Sequence, residues 1–402
     1  MKTTGIICEY NPIHNGHLRQ IEYAKEHGAD VIVCVMSGNF TQRGEFAIAD
    51  KYTRAKAAIK AGADVIFELP FPFSSMSAEF FARAGVYVLS CLDVDTVCFG
   101  HECDDVQLLK DAAEIIAKPN FVEKLDQKSN KGNAKSFFDA FGEALGMGYT
   151  LGSNDILGAY YIAAINKIAP QMSILPIRRE GAAYNEEKLT EGILPSANAI
   201  RRVIGTCGSF KDIPDGNIPV TALNVLDSAQ GDGLAPVVAS SVSNEILSFF
   251  RLLSPEDIKS RAISICGGTS ILDDGNGIVE RLSSAAREVR TLDEMLALSY
   301  NTKFTNSRMN RVALFSLFGV SDAMKNAYPE YTTLLASSSR GREFLSSIRK
   351  TASIPIITKP ADAPRNSVQF RLSSLADTLY ASAMPQKECP SYFQYLSPYI
   401  EN

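Results

Sequence analysis

The chain has no run of about 18 apolar residues free of charge, so a helix that crosses a membrane is not expected. Its first residues, MKTTGIICEYNP, lead into a strand and turn with no apolar h-region, which points to a cytoplasmic protein. There is no Cys-x-x-Cys pair, and the eight cysteines (Cys8, Cys34, Cys91, Cys98, Cys103, Cys207, Cys266, Cys389) are scattered. Several lie inside apolar strand-like runs such as VIVCVM and DTVCFG. They read as buried thiols, not as a disulfide framework or a structural zinc site, and no metal site is expected. Charge of one sign is also lacking: 40 Lys and Arg stand against 45 Asp and Glu, a net −5. No global field favours nucleic acid, so any RNA binding must come from local basic patches. No internal repeat or low-complexity tract is present.

What is there describes a globular chain. Hydrophobic content of 46% and charged content of 21% allow sizeable cores, and 402 residues predict two domains. TTGIIC, DVIVCVM, DVIFEL and VDTVCFG are near-continuously apolar and too short for helices, as expected of parallel strands buried on both faces. Between them, HLRQIEYAKEHGA, AIADKYTRAKAAIKAGA and SAEFFARAGVYVLSCL carry apolar residues at helical spacing. This βαβ series predicts an α/β fold with a doubly wound, Rossmann-like parallel sheet over residues 1–205, whose ligands sit at the carboxyl ends of the strands. Helical segments, the strand MSILPI and a helix from SANAIRRVIG complete that domain. Beyond it, SNEILSFFRLL, GIVERLSSAAREVR, SRMNRVALFSLF and REFLSSIRK predict a mainly α-helical domain over residues 206–402.

The segment from Gly5 to His17 is a strand, a turn and the start of a helix, with His14-x-Gly16-His17 at the join. Pro12 and Gly16 let the backbone turn tightly. Phosphate is the natural ligand there: helix N–H groups and the positive end of the dipole attract it, and two imidazoles can hydrogen-bond oxygens as charge moves onto a pyrophosphate leaving group. Positioning and charge stabilisation do most of the work in such transfers, so no nucleophilic residue is needed. Zinc would want a third nearby ligand, and only His27 and His101 remain among four histidines. ATP is the expected substrate, with attack or displacement at its α-phosphate.

Ser37-Gly-Asn-Phe-Thr-Gln-Arg-Gly-Glu45 follows the second strand, at the same edge. Its small residues permit close backbone approach, Asn39 and Gln42 can orient polar groups, and Arg43 can neutralise a phosphate or acyl carboxylate. An ordinary polar loop is the plainer alternative. Gly100, after the fourth strand, could admit adenine or ribose or simply end the strand. Gly152-Ser-Asn-Asp155 caps the next helix through Ser153 or Asn154. Arg178, Arg179, Ser196 and Arg201 could clamp a triphosphate, or could be solvated helix-end groups.

The His14-x-Gly-His17 motif after the first strand is similar to that of the HIGH superfamily of nucleotidyltransferases and class I aminoacyl-tRNA synthetases. EYNPIHNGH, SGNFTQRGE and Gly152-Ser-Asn-Asp155, with Lys303-Phe-Thr-Asn-Ser-Arg-Met-Asn-Arg311 and Arg340-Gly-Arg-Glu-Phe344, resemble the bacterial tRNA-Met cytidine acetate ligase family over nearly the whole chain. That resemblance implies two steps without acetyl-CoA. Acetate and ATP give acetyl-adenylate and pyrophosphate, and the acetyl group then passes to the exocyclic amine of the wobble cytidine of elongator tRNA-Met, releasing AMP and forming N4-acetylcytidine. It implies His14, His17, Ser37, Asn39 and Arg43 as the catalytic group. It further implies an ATP site of Ile7, Cys8, Glu9, Tyr10, Asn11, Pro12, His14, Gly16, His17, Gln20, Gly100, Asn154, Arg178, Arg179, Ser196 and Arg201, with Mg²⁺. Ser196 with Arg201 resembles the superfamily's Ser/Thr-x-Ile-Arg phosphate signature, and arginines must stand in for the absent Lys-Met-Ser-Lys-Ser motif. Lys303, Arg308, Arg311, Arg340 and Arg342 become a tRNA-binding set; as bare charges on helix faces they signal little. The expected partners are elongator tRNA-Met and acetate, with no membrane and no DNA. A small-molecule adenylyltransferase and a non-catalytic nucleotide- or RNA-binding protein remain the alternatives.

Overall fold

A computed structural model of the chain describes residues 1–121, 137–146, 151–179, 196–275, 277–300, 304–364, 366–386 and 391–401. The first half alternates strand and helix: β1 (Thr3–Cys8), α1 (Asn15–Glu26), β2 (Val31–Ser37), α2 (Lys51–Lys60), β3 (Val65–Leu69), α3 (Ala78–Cys91), β4 (Thr96–His101), α4 (Val106–Ile116), α5 (Phe137–Leu145), α6 (Ser153–Ile168), β5 (Ser173–Arg178) and α7 (Ala197–Cys207). The strands pair in the order β5-β4-β1-β2-β3, all parallel, with Thr3 opposite Val31, Val33 opposite Val65 and Thr96 opposite both Thr4 and Ser173. This is the doubly wound sheet the alternation predicts, and its order reverses between β1 and β4, the position at whose carboxyl ends such sheets take their ligands.

All seven residues of β2 are buried, as a strand covered on both faces must be. Val31, Val33 and Val35 join one core, and Ile32, Cys34 and Met36 join the other. The period of two along the strand thus divides one apolar run between two layers.

The second half supplies α8 (Val220–Gly231), α9 (Ser243–Leu252), α10 (Pro255–Cys266), α11 (Ile278–Ala286), α12 (Leu292–Ser299), α13 (Asn306–Phe318), α14 (Ser339–Ile348) and α15 (Val368–Ala383). It also supplies β6 (Thr332–Ser337), β7 (Ile356–Ile357) and β8 (Tyr399–Ile400). β6 pairs antiparallel with β3 and carries β7 and β8, so the sheet is not confined to residues 1–205. The division near residue 205 is one of sequence character, and the sheet crosses it. TTLLAS is too short and too weakly alternating to announce a strand; pairing with β3 more than 260 residues away makes it one, as the bond from Thr332 Oγ1 to Glu68 O (2.7 Å) illustrates. Among the described residues no helix is long and apolar enough to cross a membrane.

Candidate active site

The turn after β1 is built by local chemistry. Tyr10 adopts φ +45°, a left-handed conformation that side chains rarely take, and such strain gathers at functional sites. Arg54, fully buried on α2, clamps the turn from below: its guanidinium donates to Glu9 O (2.5 Å), Ser37 O (3.1 Å) and Gly38 O, while its Nε reaches Ala49 O (2.8 Å). One arginine therefore ties the carboxyl ends of β1 and β2 to the start of α2.

His14 is the N-cap of α1, and its Nδ1 accepts from Gly16 N–H (3.1 Å). His17 Nδ1 accepts in turn from His14 N–H (3.3 Å), and the two rings stack at 3.7 Å. A backbone N–H can only donate, so each ring accepts at Nδ1 and, when neutral, carries its proton on Nε2. Removal from water, then the neighbouring His17, Arg179 and Arg201, holds His14 well below the usual imidazole range. Removal from water, then Arg179, lowers His17 to about 3. At neutral pH the site thus holds two uncharged Nε2–H donors at a helix N-terminus, next to permanent arginine charge. That is what an accumulating negative charge on phosphate oxygens requires.

Arg201 donates to Asn11 O (2.9 Å) and lies 3.6 Å from Glu45, so α7 delivers its arginine to the turn. Ser196 caps α7 by accepting from Ala199 N–H (3.1 Å). Arg179 crosses Gly100: a Cβ there would lie 3.1 Å from its Cγ. Gln20 donates to Cys98 O (3.0 Å), fastening α1 to β4. Asn11 Oδ1 accepts from Ile48 N–H (2.7 Å), while its Nδ2 and Ser37 Oγ are buried with no hydrogen-bond partner in the protein. Buried polar atoms are normally paired, and these two lie together at the carboxyl edge of the sheet, just after β1 and at the end of β2.

The loop after β2 is held from the second half. Phe40 and Phe46 bridge and meet edge to face at 4.7 Å, and Phe40 also packs near Phe318 and Tyr380. Gln42 N–H donates to Glu9 (2.7 Å), and burial raises the Glu9 carboxyl despite that bond and the nearby Arg201 and Arg43. Asn39 is fully committed: its Nδ2 donates to Asp377 (2.8 Å) and its Oδ1 accepts from Lys51 N–H (2.8 Å). Lys51 Nζ also bridges Glu68 (2.8 Å) and Asp377 (2.7 Å). Asn39 therefore shapes the loop from within. Gly44 has φ +72°, and a Cβ would lie 2.6 Å from Arg311 N on α13. Gly44→Ala is expected to lose about 1–2 kcal/mol from the left-handed conformation alone, and more from the contact. Gly146→Ala, at φ +71° with nothing within 4 Å, is the control for strain without contact in denaturant titrations of both.

Beyond β4, Asp155 accepts from Glu102 N–H (2.7 Å), Cys103 N–H (3.0 Å) and Gly152 N–H (3.1 Å). Asn154 donates to Glu102 (2.5 Å), and the exposed Arg178 pairs with Asp104 (2.6 Å). Donor atoms of His101, Cys103 and Asp155 lie within 4.8 Å of one another, yet the carboxylate is satisfied by three backbone N–H groups, which makes it a loop anchor.

The basic residues of the second half fall into two places. Arg308 on α13 donates to Asp273 O (3.0 Å) and lies over Phe304, and Arg311 is buried and paired with Asp273 (2.7 Å). Arg340 reaches Asp30 O (3.2 Å) and Arg342 reaches Glu401 O, both at the amino edge of the parallel strands, because β6 runs antiparallel and ends beside Asp64. They lie across the sheet from the histidines. Lys303 lies outside the described residues.

Sequence reasoning missed Arg54 and the Lys51–Glu68–Asp377 cluster. A glutamate inside the otherwise apolar strand DVIFEL was the available signal, since a charge there must be paired. Arg54 gave none, as it reads as one more polar position on an amphipathic helix.

A doubly wound sheet with His-x-Gly-His at its first βα turn, faced by arginines, defines a nucleotidyltransferase of the HIGH type. The family model described as HIGH Nucleotidyl Transferase matches residues 1–394. The chain is 35% identical to the tRNA(Met) cytidine acetate ligase of Acetivibrio thermocellus over 94% of each protein, and 32% identical to that of Listeria monocytogenes over 92% of this chain and 93% of the other. Thermotoga maritima TmcAL superposes over the full length of both chains with TM-score 0.88 and 30% identity in its apo form, and with 0.84 and 29% when bound with alpha-thio ATP. The chain belongs to the bacterial tRNA(Met) cytidine acetate ligase family of HIGH nucleotidyltransferases.

Proposed function

We infer that this protein is an ATP-dependent ligase that makes acetyl-adenylate and transfers the acetyl group to the exocyclic amine of the wobble cytidine of elongator tRNA-Met. The observation that carries this reading is the pair of neutral His14 and His17 at the α1 N-terminus, presenting Nε2–H beside Arg179 and Arg201, in a chain of this family. In the first step an acetate oxygen attacks the α-phosphorus of ATP, the bond to the β,γ-diphosphate breaks, and pyrophosphate leaves. His14, His17 and the arginines stabilise its charge, with Ser196 and the strand-edge residues from Ile7 to Pro12 framing the nucleotide. In the second step the cytidine nitrogen attacks the acetyl carbon, AMP departs, and nitrogen loses a proton.

Magnesium belongs to this reading as a counter-ion to the phosphates. Glu9, at the carboxyl end of β1, offers the hard oxygen ligand such an ion takes. Residues 1–205 carry the nucleotide chemistry and the helical half presents the RNA, with Arg308 on the same element that braces the Gly44 loop.

The test is to incubate the protein with α-labelled ATP, acetate and bulk bacterial tRNA, following AMP and labelled acetate. Acetate-dependent AMP release with acetylcytidine only in tRNA-Met is the expected result, abolished by EDTA and restored by magnesium. AMP transfer to a small molecule with unmodified tRNA would sink it.

A further inference from the structure

A groove of about 280 Å³ runs between the loop after β2 and helices α9, α12 and α13, lined among others by Glu45, Phe46, Asp293, Asn310, Ala313 and Leu317. Its volume is close to the lower end of small-molecule pockets, about 300 Å³. Its walls are mainly aliphatic, with one aromatic ring, two carboxylates and one amide. One lining residue reaches towards the histidine turn: Glu45 lies 3.6 Å from Arg201, whose other amino group holds Asn11 O.

We propose that this groove receives the acceptor nucleobase itself, a cytosine swung out of its stack, with its exocyclic amine donating to the Glu45 carboxylate. This rests on the ligase reading above and adds the place and the recognising group. Three features fit one occupant. A splayed-out base needs a flat apolar slot with an aromatic face, which Phe46 provides. The Watson–Crick edge of cytosine carries a donor at N4, which a carboxylate accepts, whereas uracil presents an acceptor that a carboxylate repels. The Glu45 carboxylate in its lining lies 3.6 Å from Arg201, on the side of the proposed adenylate, where an amine must arrive to meet the acetyl carbon. Phe46 stacks at 6.1 Å on Tyr380 and meets Phe40 edge to face, so the slot wall is rigid before any ligand enters.

The test uses the full chain and tRNA-Met transcripts bearing cytidine or uridine at the wobble position. With the wild type, the uridine transcript should compete for binding at least about tenfold more weakly than the cytidine transcript. In Glu45→Gln the ratio should fall towards one, because an amide both donates and accepts. In Ala313→Phe, which fills the slot, acetyl transfer per mole of tRNA should fall at least about thirtyfold further than acetate-dependent pyrophosphate exchange does. An unchanged wobble-base preference in Glu45→Gln, or equal losses of both activities in Ala313→Phe, would assign the groove to loop support and overturn the proposal. Failure of the ligase reading is separately visible as a wild type that shows no acetate-dependent exchange.

Discussion

His17→Ala is expected to slow acetate-dependent pyrophosphate exchange by about 10²–10³-fold, the usual loss when one preorganised donor to a developing oxyanion is removed. Binding of tRNA-Met should change little, because the imidazole serves the phosphates. His17 has its Nδ1 occupied by the His14 N–H and its titration lowered to about 3, so it works as a neutral donor throughout the neutral range. The exchange rate should therefore show no limb near pH 6.5 belonging to this ring. A limb there that disappears in His17→Ala would mean that the cationic form is the active one. Stability should follow the opposite half of the same linkage. The unfolded ring takes a proton near the ordinary imidazole value of 6.5 and the folded ring does not until about 3, so the native state loses stability as pH falls through that window. His17→Ala should flatten the loss, and denaturant titrations at pH 7 and pH 5 would show it.

Lys51→Met is expected to cost about 3–5 kcal/mol of stability, because it leaves Glu68 and Asp377 facing each other with their shared cation removed. Lys51 is only 4% exposed and Glu68 3%, so water screens the pair weakly. Burial alone would lower the Lys51 ammonium, but Asp377 and Glu68 together outweigh that effect and leave it well above its ordinary value. Two carboxyls against one ammonium leave an excess of negative charge. Burial, offset by Lys51 and reinforced by Glu68, accordingly raises Asp377 to about 6 from 3.8. Between those values the folded protein holds the extra proton, so this carboxyl's contribution is present below about pH 4 and is lost as pH rises through 6. The defect in Lys51→Met should be largest at pH 8 and shrink towards pH 5. Adding Asp377→Asn should recover part of it, since the second change removes the charge the first left unpaired. A defect independent of pH would show that packing, not charge, sets the cost.

These two sites differ in how much of them could be read beforehand. The course of the His-x-Gly-His turn is set mainly by near neighbours, since the strand, the proline, the cap and the helix start are local events that residue type controls. The roles of Asn39, Arg311, Arg340 and Arg342 depend on what packs against them. Asn39 looks like a catalytic amide in the sequence, yet in the fold both its ends are used by Lys51 and by Asp377, 338 positions away. Arg308 and Arg311 share a helical face as spacing predicts, but that face turns towards Asp273, which a charge count along α13 cannot reveal.

The sequence alone determined the alternation of strand and helix, the parallel doubly wound sheet and the phosphate-seeking turn, because periodicity and turn chemistry act between near neighbours. Tertiary structure decided the antiparallel β6 that carries Arg340 and Arg342 to the far edge, the charged cluster that braces the second loop, and the groove beside Glu45. Each of these joins segments far apart in the chain, and only the packing of one half against the other brings their atoms within bonding distance.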